Sequence, residues 1–344
     1  MTTRHFRTLD ALRGVAALAV VLYHLPVGGL APRGYLAVDL FFLMSGFVVA
    51  NAYEAHLRAD WSPGGFLIAR LKRLWPLYAL GIFLGAFCYQ IAERIGPANG
   101  IHVPPLPTMS VLMLNLVFLP WNAMAKWPSF PFNSPSWSLS VEMIGNLVYG
   151  VAARTLSDET LKALSFVGAC GLCLIVYRAH SLDCGVDADN AFGGFVRFAF
   201  SFPLGVLLCR MHRDGRLQSV AIPWPFVLLM AAIVFAGVMP FGGAGDLLAT
   251  LFVFPLVLVA SLSREPDTRT ATYFAWAGAL SYPLYIVHHP ILDVLKAFQP
   301  GPVLWWLAVP LVVAAAALLE RLFDAPLQRR LAAGFRQNRA SAVK

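Results

Sequence analysis

Gly34-Tyr-Leu-Ala-Val-Asp-Leu-Phe-Phe-Leu-Met-Ser-Gly-Phe47 is apolar throughout except for Asp39 and Ser45. A helix on the surface of a soluble protein sets an apolar stripe against a charged face. This stretch has no charged face, and lipid is the solvent it suits. The same texture recurs along the 344 residues, 58% of which are hydrophobic and 13% charged, with a mean hydropathy of +0.67. Soluble domains carry about 25% charged residues. Eleven apolar segments follow one another, at 10–27, 35–54, 74–95, 106–120, 138–153, 162–178, 191–210, 222–239, 246–262, 271–294 and 302–322. The expected fold is all-α and polytopic: one integral membrane domain over 1–330 and a short basic tail over 331–344.

The segment 106–120 is the odd one. It follows Pro104-Pro105-Leu106-Pro107, is closed by Pro120, and is shorter than the ~20 residues a helix needs to span a bilayer. A re-entrant or interfacial helix is expected there, leaving ten spans with both termini in the cytoplasm. The Lys and Arg distribution agrees: 20 of the 26 then fall on the cytoplasmic side, while only Arg33, Arg94, Lys126, Arg178 and Lys296 lie outside and Arg197 lies within a span. Basic residues mark the cytoplasmic side of membrane proteins. Were 106–120 to cross, every later basic cluster would be inverted. The loop 96–137, rich in Pro, Trp and Asn, is the place for a lid or an acceptor surface.

Several function classes find no support. The net charge of +8 reflects this asymmetry, and no basic run interleaved with aromatics points to nucleic acid. Cys170-Gly-Leu-Cys173 has redox spacing but sits inside a span, and the five cysteines form no disulfide framework. The first apolar run lacks a cleavage site and reads as a retained helix. The eight histidines are scattered, so no metal is expected. There is no phosphate-binding loop, nucleophile elbow or dinucleotide fingerprint.

Ionisable groups inside spans are costly and mark function by default. Arg13 and His24 are eleven residues apart on the first helix, which puts them within about 20° of one face and about 16 Å apart along the axis. Arg13 serves as an interfacial anchor or a fixed intramembrane cation, and His24 as a helix-end histidine or a reactive imidazole. Asp39 needs a partner, with Arg33 and His24 as candidates; it orients His24 or caps a helix. Arg70 and Arg73, at i and i+3 beside Lys72, suit either phosphate binding or headgroup anchoring. Glu142 follows Ser136, Trp137, Ser138 and Ser140, where it complements a helix dipole, with Ser138 or Ser140 as cap, or belongs to a hydroxyl-binding site. Tyr285, His288 and His289 sit late in an outward-going span.

Taken together and in order, these stretches resemble the membrane-bound acyltransferase-3 family, of the O-antigen and exopolysaccharide O-acetylase type. The carrying motifs are Arg7–His24, with Arg13 and His24 separated by ten residues; Val38–Phe47; Arg70-Leu-Lys-Arg-Leu-Trp-Pro-Leu-Tyr78; Trp137-Ser-Leu-Ser-Val-Glu142; and Ser281-Tyr-Pro-Leu-Tyr-Ile-Val-His288. Two departures stand out. Asp324-Ala-Pro326 replaces the usual Glu-x-Pro, and His289 stands where an aromatic residue is common. The resemblance implies acetyl-CoA or another acyl-CoA as donor, no metal, a glycan or glycolipid hydroxyl as acceptor, and a multi-pass place in the inner (plasma) membrane. It implies Arg13, Arg70, Arg73 and Tyr78 on the donor; His24 as base or nucleophile, supported by Glu142 and Asp39; and Ser45, Ser136, Trp137, Ser138, Tyr285 and His288 toward the substrate. An acyltransferase acting on a lipid or small molecule is the alternative. A flippase is a further one, disfavoured by the absence of inverted repeats.

Overall fold

The computed structural model describes residues 6–26, 29–99, 106, 108–121, 127–217, 222–238, 241–263, 265–298 and 301–331. Arg4, Pro104, Pro105, Pro107, Lys126, Arg264 and the tail beyond Leu331 lie outside the described residues, and with them the charge positions and the tail expected above.

The described residues are helical, with one isolated bridge between Pro128 and Asp187. The helices are α1 (Arg7–His24), α2 (Ala37–Arg58), α3 (Pro63–Ile95), α4 (Thr108–Leu116), α5 (Ser136–Ala152), α6 (Asp158–Ala179) and α7 (Ala191–Arg213). They continue with α8 (Trp224–Phe235), α9 (Gly242–Leu248), α10 (Phe254–Ser261), α11 (Thr268–Ala297) and α12 (Pro302–Leu319). A π-turn joins α9 to α10, and another follows α12 over Glu320–Asp324. Ser62, Ser157 and Asp267 cap α3, α6 and α11 through their side chains, satisfying donors the first helical turn leaves open.

Six helices among the described residues are long and apolar enough to cross a membrane: Gly34–Arg58, Pro63–Ile95, Asp158–Ala179, Ala191–Arg213, Gly242–Ser261 and Val303–Leu331. Length and apolarity therefore bear out six of the ten expected spans. Of the other four, α1, α5 and α8 have 18, 17 and 12 residues, and α11 has 30 but carries His288, His289, Asp293 and Lys296. The outward faces of α6 and α12 are apolar, with Phe166, Val167, Val303 and Leu318 exposed. A belt of that kind fits lipid rather than water.

Contacts at the helix ends fix their directions. At one end, Arg210 in the last turn of α7 donates to Glu54 of α2, Asp158 of α6 and the Leu156 carbonyl, and Arg154 after α5 donates to Leu57 and Ala59. Arg213 also reaches Glu54, and the Arg7 amide donates to Glu265 ahead of α11. At the other end, Arg33 joins the chain before α2 to the end of α8, through the Phe235 carbonyl, and to the start of α9, through the Gly242 carbonyl. Asp246 accepts there from Tyr35 and the Leu182 amide. Successive long helices therefore run in alternating directions, with α1 parallel to α11. Glycine sets the crossing of α2 and α7: a Cβ on Gly46 would sit 2.1 Å from the Phe202 carbonyl oxygen, and one on Gly205 2.1 Å from that of Leu43. Small residues let the α2 and α7 backbones approach in this way.

The segment around 106–120 does not run the length of the bundle. Helix α4 starts level with Gln90 of α3, bonded to Thr108, and descends until the Leu116 carbonyl accepts from Trp75 and the Asn115 carbonyl from Tyr78. The chain turns at Phe118, whose φ is +62°. It then climbs back, so that the Trp121 amide meets Ser129, which itself pairs with Val186. Nine helical residues and a turn make a short hairpin against α3.

Candidate functional site

A cavity of about 280 Å³ lies between α1, α2, α3, α5 and α11. Arg13, Arg70 and Arg73 line it, with Ser45, Glu142 and Tyr282. Arg70 donates to Glu142 Oε1 at 2.7 Å, and the Ser45 hydroxyl donates to the same oxygen at 2.6 Å. Arg70 Nε is buried without a partner among the described residues. Arg73 reaches Asp324 beyond α12 at 3.1 Å, and its guanidinium lies 5.7 Å from the centre of the Tyr282 ring. In the wall, three guanidinium groups face one carboxylate. Arginine forks with donors to spare are suited to phosphate oxygens.

A second, smaller pocket of about 40 Å³ opens toward the other end of the bundle. His24, Tyr23, Tyr35, Trp137, Asp183 and Arg197 line it. Two residues, Val38 and Tyr285, belong to both linings, so the two voids adjoin across this wall. Tyr285 is fastened there: its hydroxyl lies 2.7 Å from Ser138 Oγ and donates to the Pro135 carbonyl at 2.9 Å.

His24 Nδ1 lies 2.9 Å from the Val20 carbonyl. A carbonyl only accepts, so the proton sits on Nδ1 and Nε2 keeps its lone pair. The ring centres of His288 and His289 stand 5.0 and 5.2 Å away. His288 is fully buried, and its Nε2 has no partner among the described residues.

The sequence positions fall into three groups. Arg13, Arg70, Arg73, Glu142 and Ser45 converge on the larger cavity, with Ser138 and Tyr285 at its far wall. His24 and Trp137 line the smaller pocket, and His288 packs against His24. Tyr78 and Ser136 line neither. Tyr78 is buried, stacked on Phe118 at 4.2 Å, and spends its hydroxyl on the Asn115 carbonyl. Ser136 is buried at the start of α5 with Oγ unpartnered among the described residues.

Four expectations about partners are corrected. Asp39 pairs with neither His24 nor Arg33. Arg197 holds it from Nε at 3.1 Å and from Nη2 at 2.7 Å. Arg33 pairs instead with Asp246, at 3.6 Å. Glu142 serves Ser45 and Arg70 rather than the imidazole. Ser138 and Ser140 do not cap α5, which starts earlier at Ser136; their hydroxyls bond to Tyr285, to the Pro135 carbonyl and to the Phe118 carbonyl.

Arg197 is the residue the motif reading missed. It is 1% exposed, donates to the Cys184 and Tyr35 carbonyls as well as Asp39, and lies 5.5 Å from the Trp137 ring centre. An arginine alone in the apolar run Phe195–Phe202 was the available signal. In the loop between α6 and α7, burial, with Asp189 and Asp183 nearby, pushes the Asp187 carboxyl above its ordinary range.

Apolar helices of alternating direction enclose an arginine-lined cavity and a histidine pocket, an arrangement that suits a multi-pass membrane protein. The chain belongs to the acyltransferase-3 family, whose model, described as an acyltransferase domain, matches residues 6–321. It is similar to "Protein 2 in picA locus" of Rhizobium radiobacter, 38% identical over 46% of this chain and 89% of that one. The peptidoglycan O-acetyltransferase OatA of Listeria monocytogenes is 25% identical over 95% of this chain and 57% of its own, so the present chain spans little more than half of that relative. The exopolysaccharide production protein ExoZ of Rhizobium meliloti is 25% identical over 76% of this chain and 78% of its own. No solved structure matches the chain. The protein is thus an acyltransferase with O-acetyltransferase relatives and the apolar helices of a multi-pass membrane protein.

Proposed function

We propose that the protein moves an acetyl group from cytoplasmic acetyl-CoA to a hydroxyl of a cell-surface or exported glycan. The observation that carries this reading is the wall of Val38 and Tyr285 shared by the arginine-lined cavity and the His24 pocket. In this reading ten helices cross the inner membrane: the six long apolar ones with α1, α5, α8 and α11. Both termini are cytoplasmic, and the α4 hairpin is re-entrant from the outer side. The basic ends of α2 and α7 then face the cytoplasm, as charge asymmetry requires.

Arg13, Arg70 and Arg73 grip the CoA phosphates, and the thioester extends toward Tyr285 and His24. The acceptor hydroxyl enters from the outer pocket and gives its proton to His24 Nε2. Its oxygen bonds to the acyl carbon as the carbon–sulfur bond breaks, and the proton passes to the departing thiolate. Pocket size favours a short acyl group. The His24 pocket, at about 40 Å³, leaves little room for a longer chain. Ser138 and Trp137 border the acceptor; Glu142 and Ser45 position Arg70; Asp39 acts through Arg197 on the pocket's shape.

The test supplies labelled acetyl-CoA and a glycan acceptor to the purified protein in lipid nanodiscs. Alkali-labile label on the glycan is expected, and His24→Ala should lower its rate by about 10²–10⁴-fold while the protein stays folded. Transfer at the wild-type rate by that variant refutes the role of His24. Movement of unmodified glycan across the membrane, with no label incorporated, refutes the reaction class.

A further inference from the structure

An imidazole that takes a proton in a buried place needs an anion nearby. The two carboxylates first expected to serve His24 are committed elsewhere: Asp39 to Arg197, and Glu142 to Arg70 and Ser45. Asp183, at the mouth of the His24 pocket, is exposed, and its Oδ2 accepts from the Tyr23 hydroxyl at 2.5 Å. One further carboxylate approaches His24 through another ring. His289 packs edge-on against His24 with centres 5.2 Å apart, and its Nδ1 lies 2.8 Å from Asp293 Oδ2. The oxygen stands off the axis of the ring N–H, a looseness common before substrate binds. The other oxygen of Asp293 takes Lys296 at 3.2 Å. These residues occupy about two turns of α11, at i, i+4 and i+7, so they share a face of the helix that runs parallel to α1.

We propose that His289, held by Asp293, is a positioning pair for His24. The carboxylate, shared with Lys296, orients the His289 ring, and that ring, packed edge-on against His24, holds the His24 imidazole in place while Nε2 carries the acceptor's proton. The order of parts is that of an acid–base imidazole oriented by a second group. The pair touches neither donor nor acceptor, and it was no part of the set first assigned to the site. The inference rests on the proposed function, in which His24 moves the proton.

The experiment measures kcat and KM for acetyl-CoA in the nanodisc assay above for His289→Phe, Asp293→Asn, Asp293→Glu and the double variant His289→Phe/Asp293→Asn. Phenylalanine keeps a flat ring against His24, and asparagine keeps the shape of the carboxylate. Each single variant is expected to lower kcat about tenfold or more with KM within about twofold. Asp293→Glu should recover part of the loss. The double variant should be no slower than the worse single one, because both changes break a single chain of contacts. Wild-type kcat in both His289→Phe and Asp293→Asn overturns the proposal, as does a loss confined to KM or a fully additive double variant. If His289→Phe does not yield folded protein, the Asp293→Asn and Asp293→Glu pair decides alone. Failure of this inference leaves His24→Ala inactive, whereas failure of the underlying function leaves His24→Ala active.

Discussion

Arg197–Asp39 and Arg70–Glu142 are the same chemical pair in two settings. Every nitrogen of Arg197 has an acceptor: Nε and both terminal nitrogens donate to Asp39, the Cys184 carbonyl and the Tyr35 carbonyl, and both side chains are 1% exposed. Arg70 makes one short contact to Glu142, has a buried Nε with no partner among the described residues, and faces the cavity with Arg13 and Arg73. A buried cation with every nitrogen committed to the protein holds structure together. One with donors left over is able to take a ligand, and the unfilled hydrogen-bond capacity separates the two better than burial does.

The contrast can be broken most severely at Arg197. Arg197→Ala leaves Asp39 as an uncompensated buried charge, a loss of about 3–5 kcal/mol. The variant is expected to fail as a monodisperse species in detergent chromatography, and replacing both partners with apolar residues of similar volume should restore much of the folded yield. Next in size is Arg70→Ala. It should fold normally and raise KM for acetyl-CoA about 10–100-fold, the equivalent of one charge-assisted hydrogen bond, with Arg70→Lys intermediate because it lacks the fork. If Arg70→Ala unfolds as Arg197→Ala does, the distinction is wrong. The smallest effect belongs to Ser45→Ala, which removes a neutral donor from Glu142. A loss of about 1 kcal/mol, near fivefold in kcat/KM, is expected, and no change in thermal stability should accompany it.

The difference between the pairs also marks what the sequence discloses. The motif Arg70–Tyr78 and the Ser-Glu motif ending at Glu142 led to one cavity because local spacing and the default cost of intramembrane charge single out these residues. Their pairing was not legible: Arg70 and Glu142 are 72 residues apart and Arg197 and Asp39 158 apart, and nothing local says which distant charge satisfies which. Tyr78 shows the converse error. It sits five residues after Arg73, yet a half-turn offset carries it to the α4 hairpin. Helices α5 and α8 fall short in length, at 17 and 12 residues, whereas α11 is long enough but carries polar groups that the bundle covers, His288 being fully buried. Asp324, noted only as a departure from the family pattern, turned out to hold Arg73.

The wall of Val38 and Tyr285 has a bearing on the cell that houses the protein. In the proposed reading the two cavities open to opposite faces of the bilayer, and joining them would make a wet pore that dissipates the ion gradients the membrane maintains. Val38 and Tyr285, the latter tethered to Ser138 and the Pro135 carbonyl, belong to the wall that then keeps the permeability barrier intact.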